Sequence, residues 1–128
     1  MEKPVVLDWP EAMNQVGGDK EFLSEVLQDL LDEAKTAEED IAKGIQAQNH
    51  DQIMKAAHRI KGSATYLGCE ALRISSYNIQ QLGLEGLNNP ADEEPLVQVK
   101  KEYSKFLLAL EDLRVEINQW MEQEGGGK

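Results

Sequence analysis

The chain has little to build covalent or metal scaffolding with. Cys69 is its only cysteine and it has two histidines, so no internal disulfide forms and no cysteine–histidine framework exists for a structural zinc. A metal site within the chain is therefore not expected. No stretch approaches 18 consecutive apolar residues, which excludes a hydrophobic helical membrane span. Basic residues number 13 against 24 acidic, a net charge of −11, and this argues against nucleic acid and anionic membrane as partners because phosphate-rich surfaces reward a basic one. The opening Met1-Glu2-Lys3-Pro4-Val5-Val6-Leu7-Asp8-Trp9 lacks the basic region and apolar run of a secretory signal. A cytoplasmic location is expected, with access to the nucleus in a eukaryotic cell. No segment alternates with period two beside a hairpin turn, so strands are not expected.

What remains is helix pattern. With 41% hydrophobic residues and only four prolines, 128 residues suffice for one domain with a single core. Asp8-Trp9-Pro10-Glu11 offers an N-cap, an early proline and a first-turn glutamate. It predicts a short helix over about 8–16, closed by Gly17-Gly18. Asp19 caps a second segment whose Leu23, Leu27, Leu30, Ala34, Ala37, Ile41 and Ile45 keep the helix period, giving a helix over about 20–48. The run Glu38-Glu39-Asp40 beside that stripe reads as a solvated face. Asn49-His50-Asp51 starts a helix over about 50–67, in which His50 has no assigned role. After Gly68, Leu72, Ser76, Ile79 and Gly83 continue a helix over about 70–85, with small inner residues that admit a neighbour and Gly83 and Gly86 ending it.

Leu87-Asn88-Asn89-Pro90-Ala91-Asp92 forms a turn, and Pro95 fits the first turn of the last helix, over about 92–122. The spacing of its Leu96, Val99, Tyr103, Phe106, Leu110, Leu113, Ile117 and Trp120 fits either a bundle seam or a coiled coil, and the seam is favoured because the other helices need this face to cover their own stripes. The expected fold is all-α, an up-and-down four-helix bundle with a short extra N-terminal helix as a lid, one domain over 1–128. Gly125-Gly126-Gly127-Lys128 is expected to be loose.

His58 stands out on this frame. At about 100° per residue, Ile53, Ala57, Ile60, Ala64 and Leu67 share one sector, and His58 lies about 140° from its centre. The imidazole is offered to solvent, with Gly62 one turn on, Met54 and Thr65 on the same side and Lys61 at the flank. Glycine inside a helix costs about 1 kcal/mol against alanine, so its place beside an outward histidine points to clearance for an approaching active site. From Gln52 to Cys69 there is no acidic residue, while Lys55, Arg59 and Lys61 give +3 and the remainder of the chain −14. Around His58 the sequence thus makes a cationic island on an acidic body. A neutral imidazole is a good nucleophile toward a phosphoryl group, giving a labile phosphoramidate. Lys61 can swing its ammonium toward such a group. Lys55 and Arg59 are placed to meet a partner, Met54 and Thr65 or the Tyr66 ring to add apolar contact at the rim, and Ser63 to bond back within its own helix.

His58, Lys61, Gly62, Ser63, Ala64, Leu67 and Gly68 fall in register with the signature of histidine-containing phosphotransfer (HPt) domains, H-x-x-K-G-S-[SA] followed by Leu-Gly, and the chain resembles that family over nearly its whole length. The resemblance implies a shuttle in two-component phosphorelays: a phosphoryl group passes from a receiver-domain aspartate to His58 and on to another receiver. The implied partners are receiver domains of response regulators and a hybrid histidine kinase. No cofactor is implied on this chain, since the magnesium belongs to the receiver, and neither is ATPase or kinase activity; a monomer is expected. It also implies a glutamine on the next helix that hydrogen-bonds the acceptor ring, at Gln80, with Gln81 as the alternative. The rival readings are a helical adaptor that binds partners without transfer, the phosphoacceptor helix pair of a histidine kinase, a nucleophilic hydrolase or metal enzyme, and a generic bundle whose exposed histidine is accidental. In the kinase helix pair an acidic residue typically follows the histidine, where this chain has Arg59, and local spacing puts no carboxylate or cysteine beside His58 for a hydrolase.

Overall fold

The computed structural model describes residues 3–124; the glycine-rich end expected to be loose lies outside the described residues. Five helices follow in order: α1 (Trp9–Gln15), α2 (Lys20–Ala47), α3 (His50–Leu67), α4 (Glu70–Asn88) and α5 (Glu94–Glu124). No strand occurs among the described residues. Local chemistry sets most boundaries. Asp8, Asp19 and Asn49 each accept a backbone N–H from the first turn that follows, those of Glu11, Phe22 and Gln52. Gln48 and Gly68 close α2 and α3 in the left-handed conformation. The Glu94 N–H donates to Asp92 before α5, and Pro95 sits in the first turn.

The two long helices measure about 42 and 46 Å at 1.5 Å per residue, and the α3–α4 hairpin only about 28 Å. Consecutive helices pack side by side and α5 returns against α2, closing an up-and-down bundle. Its core takes Leu23, Leu27, Leu30 and Ile41 from α2, Ile53, Ile60 and Leu67 from α3, Leu72 and Ile79 from α4, and Phe106, Leu110, Leu113 and Ile117 from α5. Each such side chain contributes about 1.5–3 kcal/mol over its exposed state. α1 packs against α3 and α2, with its Ala12, the following Val16 and the preceding Leu7 buried in the core. Trp9 stacks on Trp120 with centroids 5.2 Å apart and donates its indole N–H to Glu116. The lid is tied to the hairpin by the Asp8 N–H to Gly68 carbonyl bond, 3.0 Å.

One boundary differs from expectation. Gly83 and Gly86 do not end α4, which runs through both to Asn88. Both are buried at the α3 seam, where a β-carbon on Gly83 would stand 3.1 Å from the Met54 backbone and one on Gly86 would run into the His50 ring. Their role is close approach, as the small-residue pattern implied; termination is left to the Asn89-Pro90 turn. His50 is correspondingly half-buried, with Nδ1 shielded and without a hydrogen-bond partner among the described residues. The acidic run on α2 also splits. Glu38 pairs with Arg114 and its carbonyl accepts from Tyr103, Asp40 pairs with Arg59, and Glu39 stays exposed.

Gly44 on α2 plays the same part against α3, where an added methyl would stand 2.7 Å from the fully buried Ile53 Cγ1. Gly44→Ala is expected to lower stability by about 1–3 kcal/mol in urea unfolding, despite alanine's better helix propensity. Burial pushes the Cys69 thiol from its ordinary 9.0 up to about 12, with Glu116 adding to the effect. Above pH 9 the unfolded chain releases this proton and the folded one retains it, so stability is full below that pH and declines as pH rises toward 12. A Cys69→Ala chain should show a shallower alkaline loss in denaturant midpoints measured across that range.

Candidate functional site

The apolar stripe of α3 lies inward as read: Ile53, Ala57, Ile60, Ala64 and Leu67 are buried, joined by Ala56. His58 is therefore exposed. It borders a cleft of about 380 Å³ lined by Met54, Lys55, His58, Arg59 and, from α4, Gln80. The antiparallel register sets this pairing, with Gly83 against Met54 at one level and Tyr77 against Lys61 at another.

Gln80 rather than Gln81 faces the cleft; Gln81 is exposed and does not line it. The side-chain oxygen of Gln80 is buried and has no hydrogen-bond partner among the described residues. Such an acceptor costs about 1–3 kcal/mol left unsatisfied. It suits an N–H donor arriving in the cleft. Gly62 has nothing within 4 Å of where a β-carbon would stand, so its surroundings are open. Met54 serves two surfaces, its backbone pressed on Gly83 and its side chain lining the cleft.

The cationic island is smaller in space than along the chain. Lys55 pairs with Asp51 at 3.0 Å, and Arg59 pairs with Asp40 of α2 at 3.4 Å. Both pairs are largely exposed and worth little in stability, about 0–1 kcal/mol. They nonetheless offset the two charges locally. Lys61 is half-buried at the flank, its ammonium 5.6 Å from the Tyr77 ring centroid. Among the described residues no group of three or more His, Cys, Asp or Glu could hold a metal ion.

Two hydroxyls exchange the expected roles. Ser63 does not bond back within α3; its Oγ donates to the Glu33 carboxylate of α2 at 2.6 Å. The back-bond is made by Thr65, whose Oγ1 donates to the Lys61 carbonyl at 2.8 Å, leaving its methyl at the surface. Ser63 lies on the α2 side of the helix, where a carboxylate is the stronger acceptor. Tyr66 also turns away from the His58 cleft: its hydroxyl donates to the Gln15 carbonyl of α1 at 3.4 Å, and its ring lines the α2–α3 groove. Tyr77 and Leu84 are exposed on α4, three residues before and four after the cleft-lining Gln80 and so on its side of the helix; nothing in the α4 sequence marks them, because only the register against α3 brings that side to the cleft.

A family profile described as Hpt domain matches residues 25–123. The chain belongs to the Hpt domain family. It is similar to the phosphorelay intermediate protein rdeA of Dictyostelium discoideum, with 25% identity over 126 residues. That alignment covers 98% of this chain and 46% of the relative, so the chain spans about half the length of the curated relative it matches. The HPT domain of an Hpt sensor hybrid histidine kinase from Shewanella shares the fold, at TM-score 0.62 and 19% identity, over 92% of this chain and 95% of the other. In this Hpt domain the signature residues His58, Lys61 and Gly62 occupy one face of α3, with Gln80 of α4 beside them.

Open space at Gly62 means that a methyl there meets nothing. Gly62→Ala is expected to raise stability by up to about 1 kcal/mol through helix propensity alone, measured as a shift in urea midpoint. A loss of stability would show that the glycine serves packing.

Proposed function

We propose that this chain is a phosphorelay intermediate whose His58 takes a phosphoryl group from a receiver-domain aspartate and yields it to another. The observation that carries this reading is an exposed imidazole at a cleft that Gln80 also lines, the Gln80 oxygen being buried and unpartnered among the described residues, with open space over Gly62. In this reading the Gln80 oxygen accepts the N–H of one ring nitrogen. That selects the tautomer in which the other nitrogen carries the lone pair. The lone pair attacks phosphorus in line, the N–P bond forms, and the acyl phosphate P–O bond breaks with its electrons leaving on the aspartate carboxylate. Delivery to the second receiver runs the same step in reverse. The ammonium of Lys61, now over Tyr77, offsets phosphoryl charge when it swings to the ring.

The chain is proposed to act as a monomeric carrier without ATPase or kinase activity. Its partners are the receiver domains of response regulators and of a hybrid histidine kinase. It needs no cofactor of its own, because the divalent cation belongs to the receiver's carboxylate pocket. Met54, Lys55, Arg59 and Thr65 form the α3 part of the docking face, to which Tyr77 and Leu84 add the edge of α4. None of the described helices is long and apolar enough to cross a membrane. A cytoplasmic location is part of the proposal.

Incubation with a receiver charged by acetyl phosphate, followed by mass spectrometry at neutral pH, tests the reading. Acid-labile phosphate is expected on the wild type and not on His58→Gln. Label persisting on that variant would overturn the site, while receiver binding without any label on the wild type would favour the adaptor. Gly62→Gln is expected to slow transfer about tenfold or more with helicity unchanged, since a small misplacement of reacting groups costs orders of magnitude in rate.

A further inference from the structure

On the other side of α3 from the His58 cleft, the seam with α2 opens into a groove of about 350 Å³ that the proposed chemistry does not use. Val26, Leu30 and Leu67 supply apolar wall, the half-exposed Tyr66 ring a flat side, and the open backbone of Gly62 the edge nearest His58. Two carboxylates face it, Asp29 and Glu33, one turn apart on α2. Among the described residues neither is in an ion pair, whereas Asp40, further along the same edge, is taken by Arg59. One oxygen of Glu33 is held by Ser63, which fixes the carboxylate in place and leaves its second oxygen to accept. The groove therefore combines an apolar channel, an aromatic face and a held carboxylate beside a free one.

That combination matches one side chain closely. A lysine would satisfy the charge, but a planar guanidinium also stacks on an aromatic ring and bonds carboxylate oxygens two at a time, while its methylene stem lies along apolar wall. We propose that the α2–α3 groove at Asp29, Glu33, Ser63 and Tyr66 seats an arginine side chain of the docked receiver domain. This rests on the phosphorelay reading for the identity of the partner. The docking face is then two-sided: apolar toward α4, through Met54, Tyr77 and Leu84, and acidic toward α2. An arginine in the groove fixes which way round a receiver lies over His58, and receivers lacking it at that position are disfavoured.

The test uses the full chain and a receiver charged by acetyl phosphate, with transfer rate followed against receiver concentration at two salt concentrations. Asp29→Asn with Glu33→Gln is expected to raise the half-saturating receiver concentration about five- to tenfold and to flatten its salt dependence, with the maximal rate within about twofold of wild type. The control, Asp32→Asn with Glu39→Gln, removes the same charge from the exposed outer face of α2 and should shift it less than about twofold. Equal effects from the two pairs would reduce the groove to general charge attraction and overturn the proposal, as would no effect from the first pair. A second arm does not depend on phosphotransfer: titration of the 15N-labelled chain with N-acetyl-arginine amide. Shifts clustered at Val26, Gly62, Ser63 and Tyr66 and absent from the double variant support the groove, and shifts scattered over the acidic helices count against it. If the wild type accepts no phosphoryl group while the amide still binds there, the phosphorelay reading falls and the guanidinium site stands.

Discussion

The distance between α3 and its neighbours is the constraint from which the site follows. Gly83 and Gly86 on α4 and Gly44 on α2 each stand where a methyl group would collide with α3, at Met54, His50 and Ile53. Three glycines inside helices carry a propensity cost of about 1 kcal/mol each, and apolar burial along the seams offsets it. Because α4 lies this close, Gln80 is carried to the edge of the cleft beside His58 and its side-chain oxygen is shielded from water. A wider hairpin would leave the same glutamine solvated and the histidine without a fixed neighbour. Gly62 is the counterpart: a fourth helical glycine, one turn from His58, with nothing near it. Identical residues on the same few turns thus do opposite things, closing the bundle on one side and keeping the surface clear on the other.

Electrostatics at the site are set by neighbours in space. Along the chain, 18 residues around His58 carry only positive charge, but α2 brings Asp40 to Arg59 and Glu33 to Ser63. The result is a graded face. Lys61 stands toward α4 over the Tyr77 ring, and Asp29 and Glu33, in no ion pair among the described residues, line the groove toward α2. A partner with an acidic catalytic pocket and a basic rim complements such a face better than a uniformly acidic or uniformly basic one.

Much of this was legible in the residues themselves. Helix type, the caps at Asp8, Asp19 and Asn49, the inward stripe of α3 and the outward direction of His58 are all local properties. They depend on 3.6-residue periodicity and on side chains that reach three residues along the same chain. The α4 boundary differs from the expectation because glycine has two uses, ending a helix and admitting a neighbour, and only the neighbour's position distinguishes them. The bond of Ser63 was misassigned for a related reason: a serine in a helix bonds back to its own turn unless another element presents a stronger acceptor.

The sequence by itself determined that the chain forms helices, which face of each is buried, and which histidine is turned to solvent, since periodicity and capping act within a few residues. Tertiary structure alone decided that Gln80 and not Gln81 meets the His58 cleft, that Asp40 offsets Arg59, and that Glu33, Ser63 and Tyr66 border one groove. Those relations join residues up to 33 positions apart, and they depend on the register of one helix against another. Register is set by how side chains and glycines interlock across a seam, which no pattern within a single helix contains.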